Sequence, residues 1–573
     1  MNLFTLYLKE IKNKLIDKKN NFNLNNKSDL SQIIVENPPE KFDFDLSSNA
    51  AMVIAKNTNS SPREIAKKLS EILLNEVKDF SIIDIAGPGF LNIKLSNHAW
   101  VKTINSIYKN KKFGSTNQKK KYNIEFVSAN PTGPMHVGHC RGAVFGDVLS
   151  NLLKFSGNKI TKEFYINDYG NQIHNFTKSV YLRLREIKLK EKFPNDNNLY
   201  SGSYIIDIAK KILKKNKNTN LSNTKKNYEI IKKLSLKHSI DLIKSDLKSL
   251  GVKHDYFFSE TDLVKKKMVE KCIKFLKKHN HVEEGFLDPP KGDDSTEWKR
   301  RKRLIFKSTL FGDDSNRALT KDDLSWTYFA NDIGYHSTKV SKKYDYLINV
   351  LGADHIGYVK RITAAVRALS GEKIKLICKV CQLVKFMKNG EQFKMSKRSG
   401  DFVSLQNLLG EVDKDSVRFM MLNRSNDVEI EFDFNKVLEK NKDNPVFYVQ
   451  YCYARINSLF RLLKLNKNKE IKIDLKNIKI NEYEYKLLRK IIEWPRIVEI
   501  ASQKLEPHRI PFYLYELSTL FHSYWSKGNE DDNFKFIKNN NIKSPLTFKI
   551  FQLITKVLEN GMYILGVSLP KKM

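Results

Sequence analysis

The sequence predicts an α/β protein with three parts. The central part is a Rossmann-like, doubly wound domain with a helical insertion. A small α+β domain precedes it and an all-α helical-bundle domain follows it. Two observations predict the sheet: from Lys121 the chain alternates strand, loop, helix and strand, and this alternation resumes near Tyr344. A third predicts the bundle, because beyond about Asp427 strand patterns largely disappear.

The first domain is predicted over residues 1–115. The stretch from Ser60 to Leu74 has serines as candidate N-caps, a proline in the first turn and apolar residues at helical spacing. The stretch from Phe80 to Ser96 has two short strand patterns around Gly87-Pro88-Gly89, which predicts a hairpin. After this region the residue pattern becomes one of alternating strands and helices.

The second domain is predicted over residues 116–425. Its first helix has apolar residues on one face and a glycine, Gly157, that can end it. Residues from about 180 to 310 are lysine-rich and mostly helical in pattern, so they are interpreted as an insertion into the sheet. The third domain, 426–573, has four strong helix patterns that begin near Asn444, Glu482, Ile510 and Thr547.

Composition limits the class of protein. The chain has 573 residues, a net charge of +37 and only five cysteines. Its length requires more than one core, and its scattered cysteines do not form a disulfide framework. With no membrane-length apolar run and no signal-peptide pattern, we expect a cytoplasmic protein without membrane contact. The basic excess favours a nucleic-acid partner, although a lysine- and asparagine-rich composition throughout the chain explains it equally well.

The first chemical motif is H-x-G-H, with His136 and His139 at the start of a helix that follows a strand and a Pro/Gly-rich loop. Two neighbouring imidazoles can ligate a metal, relay protons or bind phosphate. No further metal ligands or carboxylates stand at the right spacing nearby. A helix N-terminus favours an anion, and Gly138 lets a ligand approach the backbone, so phosphate binding is the preferred interpretation. Many such pairs are simply structural.

The second motif, K-M-S-K, places Lys394 and Lys397 in a short cationic loop after a "KNG" turn. Such a loop could bind a polyphosphate, or it could be a solvated basic loop like others in this chain. The two motifs occur in order, 255 positions apart from His139 to Lys394. Together with a helical domain beyond them, they resemble the class I aminoacyl-tRNA synthetases.

Further blocks narrow the resemblance to the arginyl-tRNA synthetase family over nearly the whole chain. They are "EFVSANPTGPMHVGH", "FYINDYGNQI", "YFANDIGYH", "LGADHIGYVKR", "NPVFYVQYCYARI" and the C-terminal "GVSLPKKM". The resemblance implies ATP-dependent activation of L-arginine, transfer to the 2′-hydroxyl of the terminal adenosine of a tRNA, and adenylate formation that requires bound tRNA. The sequence departs from the family pattern at Arg398 and at Tyr169.

The resemblance also assigns residues. It implies that arginine is bound by Glu125, Ser128, Asn130, Tyr328 and Asp332. It implies that ATP is bound by His136, Gly138, His139, Gly352, Asp354, His355, Lys394, Met395, Ser396 and Lys397, with His136, His139, Lys394 and Lys397 as the catalytic set. Physically, a guanidinium carries five donors in a fixed fork that suits carboxylates, so a pocket built from Glu125 and Asp332 would reject lysine, ornithine and citrulline without an editing site.

The remaining expectations concern partners. Tyr448, Tyr451 and Arg455 are predicted to contact tRNA by stacking on unpaired bases, although aromatic residues at helical spacing are more often core. Mg²⁺ is expected with ATP, no metal is expected on the protein itself, and Cys378-x-x-Cys381 is interpreted as structural. A monomer is expected. The rivals are a smaller nucleotidyltransferase, a non-catalytic RNA-binding relative and another synthetase of the same class.

Overall fold

The computed structural model describes the chain except residues 1, 26–27, 40, 217–219, 223, 288–300, 393–402, 466–479 and 539–540. The whole K-M-S-K motif, including Lys394, Met395, Ser396, Lys397 and the following Arg398, therefore lies outside the described residues. Among the described helices, none is both long and apolar enough to cross a membrane.

The N-terminal region is an antiparallel sheet with helices packed against it. Its elements are α1 (Leu3–Asp17), β1 (Val35–Glu36), β2 (Leu46–Ser48), α2 (Ala50–Thr58), α3 (Pro62–Glu76), β3 (Phe80–Ala86), β4 (Phe90–Leu95) and α4 (Asn97–Lys109), with strand order β1-β2-β4-β3. The predicted helix and hairpin are both present. Ser61 is the N-cap position of α3 and Pro62 its first residue. Gly87 and Gly89 have φ of +54° and +146° in the turn between β3 and β4, which explains the two glycines there.

The central region contains a five-stranded parallel sheet of order β12-β11-β5-β6-β7. Its elements from β5 to α10 are β5 (Lys121–Glu125), α5 (Cys140–Phe155), β6 (Lys159–Ile166), α6 (Asn171–Leu189), α7 (Ser203–Lys215), α8 (Lys225–Ser249), β7 (Tyr256–Ser259), α9 (Glu260–Lys265) and α10 (Met268–Lys278). The strand order reverses between β5 and β11, so this is a doubly wound sheet whose switch point lies beside the first motif.

The second half of the central region completes this sheet and adds two small ones. Its elements are β8 (Val282–Gly285), β9 (Arg303–Phe306), β10 (Arg317–Ala318), α11 (Tyr328–Val340), β11 (Tyr346–Gly352), α12 (Val359–Ser370), β12 (Lys375–Cys381), β13 (Val384–Lys388), β14 (Glu391–Gln392), α13 (Leu405–Glu411), α14 (Lys414–Met420), β15 (Ile430–Asp433) and α15 (Phe434–Leu438). Strands β8, β9 and β10 form one three-stranded sheet, and β13, β14 and β15 form another.

The span from 180 to 310 differs in part from the predicted helical insertion. Helices α6, α7 and α8 do form a helical group with its own apolar cluster. However, β7 belongs to the main parallel sheet, and β8 and β9 belong to a separate antiparallel sheet. Strand β7 has only four residues, "YFFS", between lysine-rich segments. Four residues are too few to show whether apolar positions repeat with the period of a strand or with the period of a helix.

The C-terminal region contains the four predicted helices. They are α16 (Pro445–Leu462), α17 (Glu482–Lys504), α18 (Arg509–Glu530) and α19 (Pro545–Leu565), with a small hairpin of β16 (Ile537–Lys538) and β17 (Asn541–Ile542) before the last. The hairpin was not predicted. The helices pack as a bundle, because each presents a buried apolar face to its neighbours.

Buried polar contacts join the three regions. Trp494 in α17 donates its indole N–H to the Phe113 carbonyl oxygen at 2.7 Å, between the N-terminal and central regions. Arg418 is fully buried and donates to Asp147 of α5 at 2.6 Å and to the Leu565 carbonyl oxygen, at the end of α19, at 2.8 Å. The bundle is thus tied directly to the helix that begins at the first motif.

Candidate active site

The two histidines of the first motif lie side by side. Residues Val137–His139 form one 3₁₀ turn that leads into α5, and the two imidazole centroids are 3.7 Å apart. The His136 Nδ1 accepts from the Gly138 N–H at 3.1 Å, and the His139 Nδ1 accepts from the His136 N–H at 3.3 Å. Because both Nδ1 atoms accept, the neutral rings carry their protons on Nε2 and are donors there. A Cβ on Gly138 would lie 2.8 Å from the His136 ring, so a glycine is needed.

The chain just beyond the second motif pairs with the first motif. The Val137 N–H donates to the Val403 carbonyl oxygen at 3.2 Å, and the Leu405 N–H donates to the Met135 carbonyl oxygen at 2.9 Å. Val403 is six positions after Lys397. The described residues nearest the K-M-S-K motif on its C-terminal side are therefore in direct contact with the loop that carries His136.

Glu125, at the end of β5, has a cationic partner that the sequence did not reveal. The Lys339 Nζ lies 2.5 Å from the Glu125 Oε2, and the Lys339 side chain is fully buried. The Ser128 hydroxyl donates to the other carboxylate oxygen at 3.0 Å. Burial is the largest effect and would raise the pKa of Glu125, but the Lys339 ammonium, with contributions from His336 and Ser128, leaves that pKa lowered. Glu125 is therefore ionised and partly neutralised before any substrate binds.

Asp332, in α11, forms no ion pair with a cation in the part of the chain that the structure describes. Its carboxylate accepts a short hydrogen bond from the Tyr358 hydroxyl. Burial raises its pKa to about 7, and the charge of Glu125 adds to the rise. Tyr328, at the first position of the same helix, is 76% exposed, with the Lys321 Nζ 5.5 Å from its ring centroid. The structure thus places Asp332 inside the site and Tyr328 at the solvent boundary, one helical turn away.

A chain of hydrogen bonds connects the Asp332 backbone to Lys339, the cationic partner of Glu125. The His336 Nδ1 lies 2.8 Å from the Asp332 carbonyl oxygen, and its Nε2 lies 2.9 Å from the Asn349 Nδ2. Asn349 in turn accepts from Lys339 at 3.3 Å. Burial lowers the pKa of His336 to about 4, so the ring is neutral, with its proton on Nδ1. Hydrogen bonds from two residues of helix α11 to Asn349 of strand β11 therefore hold these two elements together.

Glu260 is a candidate site residue that the sequence reasoning missed. It is 5% exposed and accepts from the Asn331 amide at 3.3 Å. Burial raises its pKa to about 7, and the nearby charges of Asp332 and Asp168 contribute. The signal was its position: an acid directly after a short apolar strand, at the carboxyl end where α/β sheets bind ligands. It was overlooked because β7 itself was not predicted.

Ser128 and Asn130 lie on the loop that leaves β5. The Ser128 Oγ accepts from the Tyr165 N–H at 3.1 Å, which joins the loop to β6. The Asn130 amide donates to the Gln172 side-chain oxygen at 2.8 Å, at the start of α6. Both residues therefore lie at the carboxyl edge of the sheet, on the loop that follows Glu125.

The Gly352, Asp354 and His355 turn follows β11 at the same edge of the sheet. Asp354 and His355 are well exposed, and the His355 Nε2 lies 3.6 Å from the Asp354 carboxylate. A Cβ on Gly352 would lie 2.7 Å from the Asp354 Oδ1, so a side chain there would displace the exposed Asp354 carboxylate. Parallel strands β5 and β11 are neighbours, so this turn and the first motif flank one cleft.

The residues predicted to contact tRNA lie on α16, on the face that meets α18. The Arg455 guanidinium lies 4.2 Å from the Tyr451 ring centroid and 5.2 Å from that of Trp525. The Tyr448 ring packs 4.2 Å from His522. Tyr448, Tyr451 and Arg455 are partly exposed, so each side chain packs on one side and is accessible to solvent on the other.

Comparisons with known proteins agree across the chain. Three family models match it: the arginyl tRNA synthetase N terminal domain over residues 6–95, the class I (R) tRNA synthetase catalytic domain over 103–459, and the DALR anticodon binding domain over 449–573. An arginine–tRNA ligase of Pelagibacter ubique is 51% identical over 100% of both chains, and one of Ehrlichia ruminantium is 44% identical over 96% of this chain and 95% of its own.

A solved structure gives the same fold. The arginyl-tRNA synthetase of Thermus thermophilus superposes with a TM-score of 0.71 over 100% of both chains, at 18% identity. With the full-length sequence identity and the three domain matches, this shows that the chain belongs to the arginyl-tRNA synthetase family of class I aminoacyl-tRNA synthetases.

Proposed function

We propose that the cleft between β5 and β11 is where this chain carries out arginine–tRNA ligation, the reaction of its family. In the first step a carboxylate oxygen of L-arginine attacks the α-phosphorus of ATP, which gives arginyl-adenylate and releases pyrophosphate. In the second step the 2′-hydroxyl of the terminal adenosine attacks the arginyl carbonyl carbon and AMP leaves. The observation that carries this proposal is the backbone pairing of Val137, in the first motif, with Val403, which follows the second motif by six positions in the sequence.

The ATP subsite is assigned to the first and second motifs. The Nε2–H groups of His136 and His139 and the ammonium groups of Lys394 and Lys397 would stabilise charge on the phosphates as pyrophosphate departs. Met395 and Ser396 complete the second motif, and Gly138 leaves room for the nucleotide. Gly352, Asp354 and His355 are assigned to the nucleoside side of the cleft. The catalytic effect is electrostatic and positional, since no covalent intermediate with the protein is needed.

The arginine subsite is assigned to Glu125, Ser128, Asn130, Tyr328 and Asp332, with Glu260 added from the structure. Glu260 is buried and Asp332 is half-buried, and neither carboxylate forms an ion pair with a cation among the described residues. A guanidinium would supply that charge and up to five donors. Glu125 already pairs with Lys339, so we assign it, with Ser128 and Asn130, to the backbone end of the substrate. The neutral end group of citrulline would leave the acids without a cation.

Three further proposals concern the cell and the partners. Mg²⁺ would enter with ATP, bound mainly by phosphate oxygens and water, because imidazole and ammonium groups are poor ligands for it. When bound it would neutralise phosphate charge. Tyr448, Tyr451 and Arg455 would stack on bases of the anticodon loop. We also propose that the protein is cytoplasmic and that it is a monomer. Sedimentation of the purified protein would test the monomeric state.

A charging assay tests the proposal. Purified protein, ATP, Mg²⁺ and tRNA are incubated with labelled arginine, and acid-precipitable label is counted. We expect charging that a hundredfold excess of lysine or citrulline does not suppress. Suppression by either analogue at that excess would contradict the assignment of the acids to the guanidinium. Replacing Arg455 by alanine should raise the KM for tRNA and leave the KM for arginine unchanged.

A further inference from the structure

The turn that follows β5 is strained. Val127 has φ of +73° and Ser128 has φ of +42°, both in the left-handed region. L-residues avoid this region, and a β-branched valine is especially unsuited to it. The turn sets the place of the Ser128 Oγ, which bridges the Glu125 carboxylate at 3.0 Å and the Tyr165 N–H at 3.1 Å. The geometry of the proposed arginine subsite therefore depends on a backbone conformation that its own residues disfavour.

His254 contacts the residue immediately before this turn. Its Nε2 lies 3.2 Å from the Phe126 carbonyl oxygen, and its ring lies 4.1 Å from the Phe126 ring, centroid to centroid. A carbonyl oxygen only accepts, so the His254 Nε2 carries the proton. The side chain is 6% exposed and precedes β7, outside every motif named above. Burial lowers the pKa of His254 to about 4, so it remains a neutral donor near pH 7.

Phe126 is fixed from two further sides. A Cβ on Gly146 of α5 would lie 2.3 Å from the Phe126 ring, so the ring packs directly on that helix. The Phe126 N–H donates to the Glu163 carbonyl oxygen of β6 at 3.3 Å. With its ring and N–H fixed by these contacts, the carbonyl group that leads into Val127 is oriented by His254.

We propose that His254 is a positioning residue for arginine: its N–H fixes the Phe126 carbonyl group and so maintains the strained Val127–Ser128 turn that presents Ser128 and Glu125. This inference rests on the proposed assignment of those two residues to the substrate. It assigns to His254 no contact with the substrate itself.

The first test compares His254→Leu with His254→Gln in the charging assay. Leucine removes the donor, whereas glutamine keeps a neutral N–H donor of similar reach. We expect the leucine variant to raise the KM for arginine about tenfold, the scale of one buried hydrogen bond, with the KM for ATP within about twofold. We expect the glutamine variant to stay within about threefold of the parent. Equal effects of leucine and glutamine would overturn the inference.

A control separates positioning from lost stability. Leu184 is fully buried in the helical cluster of α6, α7 and α8, away from the turn. Leu184→Ala should lower the unfolding midpoint and leave the KM for arginine unchanged. A rise in that KM as large as the rise for His254→Leu would mean that destabilisation alone explains both. If His254→Leu does not fold, His254→Asn replaces it, because the shorter side chain withdraws the donor, and the same selective rise is expected.

A double-mutant cycle tests the route through the turn. Glycine adopts φ near +73° without strain, so Val127→Gly should make the turn less dependent on His254. We expect His254→Leu to raise the KM for arginine less in the Val127→Gly background than in the parent. Full additivity would overturn the inference. If Ser128→Ala raises the KM for arginine and His254→Leu does not, only the inference fails. If Ser128→Ala and Asp332→Asn both leave it unchanged, the proposed arginine subsite fails.

Discussion

The N–H of Val137 donates to the carbonyl oxygen of Val403 at 3.2 Å, and this single backbone pair joins two segments 266 positions apart in the chain. Val137 lies between the two histidines of the first motif, and Val403 lies six positions after the last lysine of the second. This link brings the segment that follows the second motif into contact with the loop of the first motif. It gives a physical reason for treating His136, His139, Lys394 and Lys397 as one catalytic set.

If that set acts on the same phosphates, its members should not contribute independently. His139→Asn and Lys397→Ala should each lower kcat about a hundredfold or more, the scale seen when one preorganised phosphate or oxyanion donor is lost. The double variant should lose clearly less than the product of the two single losses, because groups that act as a unit are non-additive. Charging kinetics measure this. Strict multiplicativity would indicate that the two motifs act on separate steps.

Loss of the Asp332 charge should weaken the use of arginine. Asp332→Asn keeps the size of the side chain and an oxygen for the Tyr358 hydroxyl, but removes the charge that would pair with the guanidinium. Loss of one partner of a buried charge pair costs about 2 kcal/mol or more, so kcat/KM for arginine should fall at least about thirtyfold. Asp322→Asn is the control, since that acid is half exposed and pairs with Arg303 at the surface. A similar loss in both variants would contradict the assignment.

Arginine binding should release protons near neutral pH. Without substrate, burial holds the pKa of Asp332 and of Glu260 at about 7, so both are partly protonated there. A bound guanidinium favours the ionised forms and lowers both pKa values. Affinity should therefore weaken as pH falls from about 8 to 6, and should be independent of pH above about 8. Calorimetry at pH 7 in buffers of different ionisation enthalpy measures the proton release. No release, or proton uptake, would contradict this account.

Substitution by alanine at two glycines of α5 should change the free energy of unfolding in opposite directions. A Cβ on Gly146 would lie 2.3 Å from Phe126, whereas a Cβ on Gly142, one turn earlier, meets nothing within 4 Å. Gly146→Ala should lower the free energy of unfolding by about 1–3 kcal/mol through overpacking. Gly142→Ala should be neutral or stabilising by up to about 1 kcal/mol, because alanine is the better helix former. Denaturant unfolding compares them, and equal effects would contradict the packing described for Phe126.

Much of the fold could be predicted from the sequence because its signals are local. The helix at Pro62, the hairpin at Gly87 and the four C-terminal helices have caps, turn residues or long amphipathic patterns. Strand β7 could not be predicted, because its run of three aromatic residues and a serine fits a buried strand and a helix equally well. Its membership of the parallel sheet comes from non-local pairing with β6.

The site was predictable only where a motif marked it. His136, Glu125 and Asp332 stand in recognisable blocks, and the structure places them at the carboxyl edge of one sheet. Lys339 and Glu260 stand in no block, and their importance comes from burial and from partners far away in sequence. The pairing of Lys339 with Glu125 spans 214 positions. No local pattern distinguishes a lysine that will be buried beside an acid from the many solvated lysines of this chain.

The measurement that tests the account most directly is ATP–pyrophosphate exchange with each of the twenty amino acids, with and without tRNA. The account predicts exchange with arginine alone, and only when tRNA is present. The same protein carrying Asp332→Asn should lose most of that exchange while it remains folded. Exchange driven by any other amino acid, or equal exchange in the parent and in Asp332→Asn, would contradict the account.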